Sequence, residues 1–292
     1  MRPYNFKVWA IPPALMQCSW LGERVATANV AKVVENVLRN KTESSWGPNA
    51  VFRFPLEGGT GAIWKKVANN CCGPLEKQRY NTKVTKVNAE EHTVELSDGS
   101  KIKYGKLLST LPLDMTLSQN GKAELANKLT YSSTNVIGIG IRGVSPHENK
   151  CWMYYPEDNC NFYRCTVFSH YARNNVPKDD VKLPTLYLAD GTGGSTEARA
   201  GPYWSLMFEV SESAVHKPVN LETIIKDTIQ GAINTKMISS TDEIVSVFHR
   251  RLERGYPTPC LKRDSVCSEA LPMLKKEHDI WSLEVRDWQS RS

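Results

Sequence analysis

Between residues 135 and 250 the sequence reads as five strands and one helix, and that ratio constrains the fold more than any other feature. The strand-like segments are Asn135–Ile141, Trp152–Tyr155, Phe162–Phe168, Tyr203–Val210 and Ile244–Arg250, and the helix fits Leu221–Ile233. Parallel neighbours need a long crossover, usually helical, so strands with few helices between them predict a mainly antiparallel sheet. Residues 172–201 are rich in Pro, Gly and polar side chains and predict a long loop.

The chain before this sheet has a different period. Residues 1–45 read as mainly helical, with Val30, Val33, Val34, Val37 and Leu38 at helical spacing and Asn29 placed to cap them. Trp20–Arg24 and Ser44–Asn49 are irregular connections. Gly58-Gly59-Thr60-Gly61 then precedes a helix at Ile63–Ala68. From residue 82 the pattern alternates: Val84–Val87, Thr93–Leu96 and Lys101–Tyr104 read as a small meander turning at Ser97–Ser100, followed by a short buried strand at Leu107–Thr110. The fold class is therefore mixed α/β, with a helical segment, a meander of the kind found in nucleotide-cofactor domains, and an antiparallel body at 113–255.

Composition narrows the function classes. Of 292 residues, 40% are hydrophobic and 23% charged, which is ordinary for a globular protein. The net charge is +6, but the basic residues are scattered and dense only at Lys65-Lys66, Arg250-Arg251 and Lys275-Lys276. Nucleic-acid binders carry a stripe or a known module, so this balance argues against nucleic acid and suits an anionic small ligand. No apolar run is long enough to cross a bilayer, and the first residues lack the layout of a secretory signal. Eight cysteines without C-x-x-C spacing predict reduced thiols in a cytoplasmic protein and no metal site.

No Ser-His-Asp order, H-E-x-x-H or phosphate-loop motif is present, so no protein nucleophile stands out. What remains is recognition chemistry. Arg24 and Arg164 are either surface ion-pair residues or a two-pronged grip on a diphosphate, with Tyr154 and Tyr256 as neighbouring hydroxyls. Asn5 and Trp9, four residues apart, share a helix face and either pack in a core or hold a nucleobase. The Gly58-Gly59 turn either is only a turn or brings backbone close to a phosphate or ring.

Several runs carry a resemblance. They are Met1–Trp9, Trp20–Val25, Trp46–Ala50, Phe52–Pro55, Tyr154–Cys160, Phe162–Arg164, His249–Arg251 and Gly255–Pro259, in order along the chain as far as Trp281. Together they resemble the eukaryotic, particularly fungal, UDP-galactopyranose mutases. The resemblance implies an isomerase that interconverts UDP-galactopyranose and UDP-galactofuranose, for galactofuranose and cell-wall biosynthesis. In such enzymes N5 of reduced FAD attacks the anomeric carbon, UDP leaves and returns, and NADPH is the reductant. Carried over by position, Met1, Asn5 and Trp9 border the uridine. Arg24 and Arg164 grip the diphosphate beside Tyr154 and Tyr256, and Asn49 lies near the sugar. Gly58 and Gly59 approach the flavin, and the Val84 backbone meets the adenine end. UDP-galactose is the implied partner, and a homo-oligomer is compatible with the family.

The family pattern opens with a strand, a G-x-G-x-x-G turn and a helix that bind the FAD pyrophosphate. This sequence has no such unit, and after Trp281 it diverges from the flavin- and sugar-contacting tail of the pattern. The expectation is an incomplete FAD-binding Rossmann-like domain and a chain inactive as it stands. Its parts are a helical substrate-domain segment (1–45), a partial FAD domain (46–112), the sheet-bearing substrate domain (113–255) and a return to the FAD domain (256–292). Two other readings stay open: a non-catalytic UDP-sugar-binding or partner-binding remnant, and a relative of the flavin amine oxidases, which would explain Gly58-Gly59 but not the arginine segments.

Overall fold

A computed structural model of the chain describes residues 2–21, 29–41, 52–72, 78–148 and 150–283. Three helices come first: α1 (Arg2–Trp9), α2 (Val30–Leu38) and α3 (Gly59–Cys71). A meander of β1 (Val84–Asn88), β2 (Thr93–Leu96) and β3 (Lys101–Lys103) follows, then β4 (Leu107–Ser109), α4 (Leu113–Gln119) and α5 (Ala123–Ala126). The larger body contains β5 (Tyr131–Arg142), β6 (Trp152–Tyr154), β7 (Arg164–Val167), β8 (Leu183–Thr185), β9 (Tyr187–Leu188), β10 (Ser195–Arg199) and β11 (Tyr203–Glu212). It continues through α6 (Ile224–Asn234) and β12 (Glu243–Pro257), and the chain returns through α7 (Arg263–His278) and β13 (Ile280–Ser282).

The main sheet has six strands in the order β6-β7-β11-β5-β12-β9, every pair antiparallel. That meets the expectation from the strand-to-helix ratio. Directly paired residues share a face, so the register sorts the side chains. Ile137, Ile139 and Ile141 of β5 lie with Leu206, Phe208 and Val210 of β11 and Cys165 and Val167 of β7 in one buried cluster. α6 closes that face with Ile224, Ile229 and Ala232. Gly231 is required there, because a Cβ would stand 2.9 Å from the Cys160 Cβ and 3.1 Å from Phe162. The opposite face carries Tyr154, Arg164 and Glu209, and α1 packs on it: the Ser211 hydroxyl of β11 donates to the Lys7 carbonyl at 2.5 Å.

A second core gathers the meander with α4, α5 and α7. Val266, Ala270 and Leu274, four residues apart along α7, bury one stripe against Leu113, Leu117, Val87, Val94 and Ile280. β13 pairs with β4 in parallel, Ile280 opposite Leu107.

Local signals hold where they were strong. The Asn29 side chain accepts from the Lys32 amide at 3.1 Å and caps α2, whose apolar stripe is exposed. The long loop expected at 172–201 is corrected. β8, β9 and β10 lie in it, and β10 pairs with β8, while β9 extends the main sheet beside β12. Short strands in Pro- and Gly-rich sequence exist only by virtue of their pairing partners, which composition does not reveal. The strand expected at 244–250 runs on from Glu243 to Pro257 through two register shifts. α4, α5 and α7 occupy segments with no helix expectation.

Candidate functional site

The site begins as one row across the sheet. Tyr154 on β6 pairs with Arg164 on β7, Arg164 with Glu209 on β11, and Glu209 with Val136 on β5. Arg164 donates from Nε to Glu209 Oε1 at 2.8 Å and from Nη2 to the same oxygen at 2.5 Å. The buried Tyr163 hydroxyl donates to the other oxygen, Oε2, at 2.5 Å. Both oxygens of Glu209 are thereby used, and the guanidinium is fixed in one orientation. Burial works against the charge on Arg164, but Glu209 more than offsets it and raises its affinity for its proton. Burial, then Glu209, pushes the Tyr163 hydroxyl far above the ordinary tyrosine range, so it remains a donor. Nη1 of Arg164 has no hydrogen-bond partner among the described residues and can meet an anion.

α1 lies over this row. The ring of Tyr4 meets Tyr154 edge-on, with centroids 6.1 Å apart. Burial raises the Tyr4 hydroxyl strongly, helped by Tyr154 and opposed by Arg164. At the far end of the helix Trp9 stands edge-on to Tyr256 at 5.6 Å and to Trp20 at 5.1 Å. Tyr256 on β12 pairs with Ser132 of β5, four residues along that strand from Val136, the partner of Glu209. Asn5 is one turn before Trp9 on α1.

A third element reaches the row through aromatic contacts. Phe52 packs on Trp152 at 4.9 Å and on Tyr171 at 5.0 Å, and Phe54 packs on Tyr171 at 5.0 Å. The Trp152 indole N–H donates to the Tyr171 hydroxyl. Trp152 is two residues from Tyr154 on β6, so these contacts bring the turn after Phe54 to the edge of the site. In that turn Gly58 and Gly59 take φ of 71° and 61°, a left-handed conformation that glycine adopts without strain. They open α3, so its first amides point outward at the positive end of the helix.

The structure therefore brings Asn5, Trp9, Tyr154, Arg164 and Tyr256 to one region between α1 and the sheet, while Gly58 and Gly59 open α3, with Gly59 next to the Phe54 ring. Val84 is elsewhere: it packs with the second core, and its carbonyl accepts from the Gln119 amide at 3.0 Å. Met1, Arg24 and Asn49 lie outside the described residues. Sequence reasoning missed Glu209, Tyr163 and Tyr4. Glu209 did leave a signal, an acid inside the otherwise apolar run Leu206–Val210, which costs heavily unless it is paired.

A flavin can be tested against these residues. The helix start at Gly58-Gly59 suits the close approach of one edge of such a group. The carbonyl of Val84 is already used, and among the described residues no second glycine-rich helix start is present to receive a pyrophosphate. The described residues thus do not make up a whole flavin site, and no chemical step is routed through one.

No protein-family model matches the chain. Among solved structures, reduced UDP-galactopyranose mutase matches with 39% sequence identity and a TM-score of 0.83. The match covers 96% of this chain and 56% of that one, so the chain spans a little over half the length of that enzyme. An Exiguobacterium sp. 255-15 protein assigned as a protoporphyrinogen oxidase matches at 15% identity with a TM-score of 0.52, over 77% of this chain and 45% of that one, a likeness of fold alone. The resemblance read from the sequence and the mixed helix-and-sheet fold are both borne out.

Proposed function

We propose that this chain, which is UDP-galactopyranose mutase-like in sequence and fold, supplies the nucleotide-recognising part of a flavin-dependent isomerase acting on UDP-galactose. The observation that carries the reading is the row Tyr154–Arg164–Glu209 under α1. One guanidinium is held rigid by a buried carboxylate, with Nη1 free of hydrogen bonds among the described residues and Tyr4, Tyr154 and Tyr256 close by. A diphosphate would be held by charge-assisted hydrogen bonds to Arg164 and by the tyrosine hydroxyls beside it. Trp9, with Asn5 one turn before it, offers an aromatic surface and an amide for the uracil. Met1, Arg24 and Asn49 complete the grip in this reading.

In this reading FAD, reduced by NADPH, would be the cofactor and would supply the nucleophile toward the sugar, and Gly58 and Gly59 would border it. Residues 1–45 and 113–255 then form the substrate part, and 46–112 with 256–292 the flavin part. The product, UDP-galactofuranose, serves cell-wall synthesis from the cytoplasm, and the working form is a homo-oligomer.

Calorimetry with UDP tests the reading. Saturable binding by the folded chain, weakened at least about tenfold in Arg164→Ala, is expected, since a charge-assisted contact contributes about 1.5–3 kcal/mol. A folded chain with no measurable affinity for UDP or UDP-galactose would sink it. The alternative of a UDP-binding protein without catalysis is separated by the visible spectrum of the purified protein and by assay of the isomerisation.

A further inference from the structure

We propose that Lys7 and Cys160 form an oxidative covalent cross-link, Nζ to Sγ, that ties α1 to the turn following β6. The two residues are 153 positions apart in sequence, and Lys7 Nζ lies 3.1 Å from Cys160 Sγ. Both are buried, at 7% and 8% exposure. Nζ also donates to the Glu157 carbonyl at 2.5 Å, and no carboxylate forms an ion pair with it among the described residues. The lysine is pinned from behind as well, because Ser211 donates to its carbonyl. A long side chain that usually seeks water is thus fixed with its nitrogen aimed at a sulfur. Burial raises the Cys160 thiol and Lys7 draws it down, so the adjacent lysine favours the thiolate, the form that peroxide oxidises.

The oxidant is hydrogen peroxide. One equivalent converts the Cys160 thiol to a sulfenic acid and is itself reduced, releasing one water. The Lys7 amine, once it has given up its proton, attacks the sulfur, the hydroxyl leaves with an N–H proton as a second water, and an N–S bond closes. Sulfur has then lost two electrons and peroxide has gained them. With a second equivalent of peroxide the nitrogen is oxidised as well, the sulfenic oxygen is kept as an N–O–S bridge, and three waters leave in all. Either product locks the helix that bears Tyr4, Asn5 and Trp9 onto the body of the protein. The cross-link is independent of the nucleotide reading.

The purified full chain is treated with hydrogen peroxide, alkylated under denaturing conditions, digested and sequenced by tandem mass spectrometry. The expected result is a linked pair of peptides joining Lys7 to Cys160, either lighter than their sum by two hydrogens (N–S) or heavier by one oxygen less two hydrogens (N–O–S). Dithiothreitol should remove it, and the treated protein should melt at a higher temperature than the reduced one. Lys7→Arg should lose the linked pair while Lys150→Arg keeps it. The wild-type experiment decides even where Lys7→Arg fails to fold. Recovery of Cys160 only as a free thiol, as a sulfinic acid or in a disulfide with Cys165 would overturn the proposal.

Discussion

Arg164 turns two of its guanidinium nitrogens onto one oxygen of Glu209, and Tyr163 takes the other oxygen. The carboxylate side chain is only 8% exposed, whereas the arginine is 29% exposed. The buried partner therefore exists to hold the more accessible one. Removing one member of a buried pair leaves an uncompensated charge, so Glu209→Ala should lower stability by about 3 kcal/mol in urea unfolding. Glu209→Gln keeps the shape and should cost less stability but still weaken UDP binding, because the arginine is then held by a neutral group. Equal UDP affinity in wild type and Glu209→Gln would show that Arg164 needs no such positioning.

Trp9 gives a second prediction. An aromatic surface on which a base stacks contributes about 1–3 kcal/mol per base, so Trp9→Ala should weaken UDP binding by roughly fivefold or more. Ribose phosphate, lacking the base, should bind wild type and variant alike. A uniform loss for both ligands would instead mean that Trp9 acts by supporting Tyr256, which it meets edge-on.

The packing of α6 on the sheet is testable without any ligand. Gly231→Ala would force a methyl group against Cys160 and Phe162, which sit in the same cluster as Phe208. Overpacking of this kind costs about 1–3 kcal/mol. Phe162→Ala, at a fully buried position, should cost about 3–5 kcal/mol through lost burial and a cavity. Melting temperatures close to wild type for both variants would refute the assignment of this cluster as the main core.

Acid stability should depend on Glu243. The Thr185 hydroxyl, then Arg199 and Arg142, hold its carboxyl down from an ordinary 4.5 to about 2, against the opposing effect of burial. The unfolded chain takes up this proton at a higher pH than the folded one. The stabilisation is therefore complete above pH 4.5 and is lost as pH falls from 4.5 toward 2. Melts at stepped pH should show a steeper decline in wild type than in Glu243→Gln across that window. Parallel declines would place the acid sensitivity elsewhere.

Much of the architecture was legible because it rests on local pattern. Alternating apolar residues marked β5, β7 and β11, the small meander showed its turn, and Asn29 announced the start of α2. The helices α4, α5 and α7 were not legible. α7 carries Pro272 inside it and only a weak apolar stripe, so its helix depends on the second core that Val266, Ala270 and Leu274 complete. β8, β9 and β10 were hidden for a similar reason, since each is a few residues long and is defined by its pairing, β8 with β10 across the loop and β9 with β12 far along the chain.

The same division runs through the site. By itself the sequence determined which chemical groups are available: an arginine and tyrosines for a diphosphate, a tryptophan and an asparagine for a base, glycines for a close turn. It also carried the ordered runs that are similar to the mutase. Only the tertiary structure decided that Tyr154, Arg164 and Glu209 stand in one cross-strand row, that α1 covers them, and that Lys7 meets Cys160. The reason is physical. Residue type sets what a side chain can bond, and periodicity sets which face it takes. Which distant face comes to lie opposite is settled by the register of strands scores of residues apart and by the burial of the whole core.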